Sequence, residues 1–167
     1  MPNIRLIAKE FQNLDRSEVL KLLHSQWHEE RLLALIILTH QFEKEDGQAK
    51  QDIVDMYLDN TEYINNWDLV DVSAHKILGR WLLTLRGKRE KGKEKSRPPF
   101  SKGLARRVEG FQTPELLCNL ADSSLLWERR ISIVATWWFI REDWLDPTFE
   151  LAEKLLHDDH DLMHKAV

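Results

Sequence analysis

Apolar residues recur at helical spacing along almost the whole chain. HEERLLALIILTHQF, residues 28–42, carries them at i, i+3, i+4 and i+7, the stripe of a helix with one buried face. QDIVDMYLDN (51–60) repeats the pattern, and NWDLVDVSAHKILGRWLLTL (66–85) extends it over a longer helix. Asp15 and Glu18 have the spacing of a capping box before VLKLLHS. Thr113 with Pro114, and Asp146 with Pro147, read as N-cap and first helical residue. No β-branched run alternates at period two, and the single Asp46-Gly47 pair lies between two helical patterns. The spacing predicts an all-α chain forming one domain over residues 1–167.

The helices repeat. LLHSQWHEERLLAL from Leu22 resembles LADSSLLWERRISI from Leu120, and superposing Ser25 on Ser123 also superposes Glu30 on Glu128 and Arg31 on Arg129. LLHDDHDLMHKAV from Leu155 puts Asp158 in the serine position 35 residues later, and 35 residues beyond Ser25 lies Asn60. The middle gap, Asn60 to Ser123, is 63 residues, a surplus of 28 over the period. Helix pairs at this period predict a HEAT-like α-solenoid, in which equivalent positions of stacked repeats share one face. The alignment makes Leu32, Trp67, Arg130 and Lys165 equivalent, and likewise Ile36, Asp71 and Val134. Trp67, Asp71 and Arg130 are then expected together on a concave face.

Composition adds charge. The net charge is −4, yet residues 86–107 hold ten Lys or Arg against Glu90 and Glu94, a local +8 on a body of −12. This segment matches the surplus in the array and reads as a basic inserted loop at about 86–112, either solvated or in contact with phosphates. No apolar run is long enough to span a membrane, and MPNIRLIAKEF is too charged for a signal peptide. One cysteine, Cys118, excludes an internal disulfide and fits a cytoplasmic protein; within PELLCNL it reads as a small core residue. Trp137 and Trp138 read as core, and Trp81 and Trp127 as packing between repeats.

An indole, a carboxylate and a guanidinium on one face suit a cation attached to a phosphate backbone. An alkylated purine nucleotide fits that description. At these residues the chain resembles a known family. NNWDLVDVSAHKILG, LWERRISIVATWWFIR and DLMHKAV are similar to the AlkD-type DNA alkylation repair glycosylases, over nearly the whole chain except about 86–112. The resemblance implies HEAT-like repeats, duplex DNA as partner, and excision of cationic N3- and N7-alkylated purines without flipping the lesion into a pocket. It implies Asp71 as the catalytic carboxylate, Trp67 as an aromatic that cradles the lesion, and Arg130 as a contact to the nearby backbone. Asp68 matches no catalytic residue and reads as a first-turn acid. Lys165, with Lys91, Lys93 and Lys95 of the basic segment, joins the DNA-binding set. The family motif continues past K-A-hydrophobic to Gly-Trp, whose tryptophan forms another wall of the cradle. This chain stops at Val167, in KAV, so against the family motif it is expected to be a fragment, a natural short form or a member that lost its C-terminal repeats.

Two other readings use the same features: a non-catalytic HEAT-like protein that binds DNA structure, and a protein-interaction scaffold. Asp71 paired with Lys76 or Arg80, and Arg129 or Arg130 paired with Glu128 or Asp122, are the purely structural alternatives at the site. Nucleotide-binding and C-x-x-C motifs are absent, and His157, His160 and His164 do not share a helical face. No cofactor, nucleotide or metal is expected, Ser73 and His75 form no triad, and the oligomeric state expected is a monomer.

Overall fold

The computed structural model describes residues 2–91 and 114–167, and among them the regular structure is helical. Three elements open the chain: α1 (Pro2–Glu10), α2 (Arg16–Leu23) and α3 (His28–Lys44). Next come α4 (Gly47–Asp59) and a 3-10 turn (Thr61–Tyr63). A long rod follows, made of α5 (Trp67–Ala74), a π-helical segment (His75–Gly79) and α6 (Arg80–Lys91). Beyond the undescribed stretch lie α7 (Glu115–Ala121), α8 (Leu126–Ala135), α9 (Trp137–Arg141), α10 (Asp146–Leu155) and α11 (Asp161–His164). The first six residues of the basic segment thus continue α6, whereas Lys93 and Lys95 lie outside the described residues.

The helices stack as pairs. α2 packs on α3 and α7 on α8, while α3, α5, α8 and α11 follow one another side by side in a single layer. Between them lie Leu35, Ile37, Leu38, Leu69, Val70, Ile77, Leu78, Ile131 and Phe139, all fully buried. Their i, i+3, i+4 recurrence is the stripe that the sequence carries.

The repeat is visible in hydrogen bonds. Ser25 Oγ accepts from the Trp27 amide at 3.1 Å, Ser123 Oγ from Leu125 at 3.0 Å and Asp158 Oδ1 from His160 at 3.0 Å. Arg31 Nη1 donates to the carbonyls of Ser25 and Gln26, and Arg129 Nη1 to those of Ser123 and Ser124. Asn60 departs from the pattern: its side-chain Nδ2 donates to the Met56 carbonyl, and its Oδ1 meets His24 Nε2 at 2.6 Å. The 3-10 turn adds one helical turn after it, and α5 begins only when Asn66 Oδ1 accepts from the Trp67 amide at 2.8 Å. Counted from the first residue of each second helix, the equivalent positions are therefore Leu32, Asp71, Arg130 and Lys165. This corrects the sequence alignment, which paired Trp67 with Arg130 and Asp71 with Val134. The error is one turn, so the face stays the same.

Other expectations shift in smaller ways. Asp15 caps α2 through Ser17, while Glu18 turns to Lys21 rather than closing a box. Pro114 is the N-cap of α7, and Asp146 and Pro147 are the first two residues of α10. His160 caps α11, its ring accepting from the Leu162 amide. Cys118 is only partly buried. Arg129 pairs with Asp158, Nε to Oδ2 at 2.6 Å, rather than with Glu128 or Asp122. Glu128 instead accepts from Thr61 Oγ1 at 2.6 Å and so fastens the extra turn to α8.

Candidate functional site

Asp71 and Arg130 meet across the α5–α8 contact. Arg130 Nη2 donates to both Asp71 oxygens, at 3.0 and 3.1 Å, and Nε donates to Oδ1 at 3.2 Å. Arg130 Nη1 donates to the Leu162 carbonyl at 2.5 Å, which ties α11 to the same point. The Arg130 side chain is 7% exposed and the Asp71 side chain 36%. The fork is thus spent inside the protein, and the carboxylate is held at its end with one side toward solvent.

That open side faces a cleft of about 380 Å³, lined by Asp71, His75, Arg130, Trp137, Thr148 and Lys165 among others. Trp67 stands one turn before Asp71 on the same stripe of α5, 52% exposed, so it is no core aromatic. Lys165 is exposed at the rim. Asp68 sits in the first turn of α5, as expected, and faces inward: its Oδ1 accepts from the Leu69 amide and its Oδ2 meets His28 Nε2 at 2.8 Å. Lys91 is the last residue of α6.

Sequence reasoning passed over two residues of the cleft. His75 follows Asp71 by one turn and its ring bonds to the Asp71 backbone carbonyl; burial of the ring and the nearby Lys76 and Arg80 charges push its pKa down. Trp137, expected in the core, is 43% exposed and meets His75 edge-on with ring centroids 5.1 Å apart. The i+4 relation to Asp71 was the available signal for His75. For Trp137 there was none, because WW in an apolar helix reads as core. Trp81 is buried and Trp127 partly so, against the core as expected.

Among the described residues no group of three or more His, Cys, Asp or Glu is arranged to hold a metal, and no helix is long and apolar enough to cross a membrane. The profile of the DNA alkylation repair enzyme family matches residues 1–94 and 100–167. The chain belongs to this family. No curated protein and no solved structure gives a significant match. Membership places the protein in DNA repair with DNA as its partner. The stretch outside the match, 95–99, lies within the basic segment.

Proposed function

We propose that the protein is a DNA glycosylase that hydrolyses the N-glycosidic bond of cationic N3- and N7-alkylated purines in duplex DNA. The observation that carries this reading is the Asp71 carboxylate, gripped from behind by buried Arg130 and open to a cleft in front. The purine leaves with the electron pair of its bond to C1′ and becomes neutral, so no strong acid is needed. The sugar becomes oxocarbenium-like. A carboxylate fixed beside it stabilises that charge without reorganising, and it orients the water that adds to C1′ and takes up the water's proton. Exposed Trp67 offers its indole face to the cationic base, an attraction of about 0.5–2 kcal/mol. Arg130 holds Asp71, which leaves the phosphates to Lys165 and to Lys91, Lys93 and Lys95 of the basic segment.

The test is release of 7-methylguanine from methylated duplex DNA. Asp71→Asn should slow release roughly 10²- to 10³-fold, as expected for loss of one preorganised electrostatic group, while duplex binding stays nearly intact. A non-catalytic, DNA-structure-binding role has one observation in its favour: Arg130 already engages both oxygens of Asp71. Undetectable release by the wild-type chain, with binding intact, would select that role.

A further inference from the structure

The cleft beside Asp71 extends past the carboxylate to residues of α8, α9 and α10. Behind Asp71 its walls are largely apolar: Ile133 and Val134 of α8, Ile140 of α9 and Ala152 of α10. Trp137 forms a flat panel among them. The ring is fixed by three neighbours, His75 at 5.1 Å, Trp138 edge-on at 4.9 Å and the Arg141 guanidinium at 5.0 Å. Such a wall is ordered before any ligand arrives, and stacking on it costs little side-chain entropy. The volume, about 380 Å³, falls within the range of small-molecule sites, roughly 300–1,000 Å³.

Beside the charged Asp71, Arg130 and Lys165, the cleft presents three neutral polar side chains, Thr136, Thr148 and His75. Thr148 Oγ1 is buried and has no hydrogen-bond partner. Thr136 Oγ1 donates to the Ile133 carbonyl, which leaves its lone pairs to accept. Burial and the nearby Lys76 and Arg80 charges push the His75 pKa down, and with one ring nitrogen turned to the Asp71 carbonyl the other is left to accept. A panel for stacking, apolar walls on the α8, α9 and α10 side, and the unpaired Thr148 hydroxyl among them suit a flat, nitrogen-rich ring.

We propose that this cleft is a receiving pocket for a free purine base. The inference rests on the glycosylase reading for its biological sense. A cationic alkylpurine becomes neutral as its bond to the sugar breaks, and the apolar walls on the side of the cleft away from Asp71 suit the neutral form. Trp67 on α5 serves the charged base, and Trp137 on the wall of the cleft serves the departed one. The pocket draws the base away from C1′ and leaves the Asp71 side clear for water.

The experiment titrates the 167-residue chain with 7-methylguanine and follows the indole N–H resonances of its seven tryptophans by NMR. The Trp137 resonance, assigned through Trp137→Phe, should shift and saturate with a dissociation constant on the order of 0.1–1 mM. Trp137→Ala should weaken binding roughly 5- to 150-fold, the worth of one base–aromatic stack. Trp27→Ala, distant on the first helix pair, should leave it unchanged. If Trp137→Ala does not fold, Trp137→Phe and Thr148→Val take its place, each with a smaller loss. No saturable shift at Trp137, or unchanged binding in folded Trp137→Ala, overturns the pocket. Excision of 7-methylguanine from DNA is read separately. Purine binding without excision removes the glycosylase reading alone, and excision without purine binding removes the pocket alone.

Discussion

Asp71→Ala should destabilise the protein, contrary to the usual gain when a strained, solvent-facing carboxylate is removed from a working site. The reason lies with its partner. Arg130 is 7% exposed and loses three of its four hydrogen bonds when Asp71 goes, keeping only the Leu162 carbonyl. A buried guanidinium stripped of its carboxylate costs about 3–5 kcal/mol where water cannot reach it. Here Asp71 is 36% exposed, and truncating it opens a path for solvent, which discounts the penalty to about 1–2 kcal/mol. For a chain of this size that lowers Tm by roughly 2–8 °C.

The assay is a double-mutant cycle by thermal and urea unfolding, with Arg130→Met as the second change because it keeps the stem and removes the charge. Asp71→Ala in the Arg130→Met background should cost less than in the wild type, by about 1–2 kcal/mol of coupling. A Tm for Asp71→Ala equal to or above wild type, or strict additivity in the cycle, would refute the reasoning. The pair would then not exist in solution, and with it would go the argument that Arg130 fixes the carboxylate.

Four further outcomes follow from the packing and the titrating groups. Gly79→Ala places a Cβ 2.2 Å from the Ala135 carbonyl oxygen, a backbone atom that cannot swing aside, and should cost about 2–3 kcal/mol in urea unfolding. Gly87→Ala on α6 meets nothing within 4 Å and should instead stabilise by up to about 1 kcal/mol. Because the folded His75 pKa lies below its usual 6.5, the unfolded chain protonates first. Stability should therefore be insensitive to this residue above pH 6.5 and decline as pH falls below it, and His75→Gln should flatten that limb. Burial pushes the Cys118 thiol up, so a disulfide reagent at neutral pH should label the native chain more slowly than the urea-unfolded one.

The fold was legible because its cause is periodic. Apolar residues every three to four positions in HEERLLALIILTHQF dictate a buried stripe, and α3 buries Leu32, Leu35, Ile36 and Phe42 along it. The repeat was legible because it rests on side-chain bonds with fixed offsets, such as Ser25 to Trp27 and Ser123 to Leu125. What the sequence hid was the extra turn at Thr61–Tyr63, since TEY carries no signal that separates a 3-10 turn from a helix start. The π segment His75–Gly79 was hidden too; it ends at Gly79, which lies close against Ala135 on α8, a contact distant in sequence.

These two hidden features build the site. An added turn of about four residues nearly matches one helical repeat, so it advances α5 along its axis while keeping the same stripe toward α8. That advance brings Asp71, and not Trp67, level with Arg130, and converts an arginine suited to phosphate into the holder of a carboxylate. The π segment then begins at His75, one turn beyond Asp71, where a wider turn lies beside Trp137. Spacing in the chain told which residues share a face. Which of them touch was decided by one turn of helix, and that turn is clamped by the Thr61–Glu128 bond. Glu128→Ala should therefore loosen the register of α5 against α8. Its mark would be a reduced Asp71–Arg130 coupling in the same double-mutant cycle, although Glu128 touches neither residue of the pair.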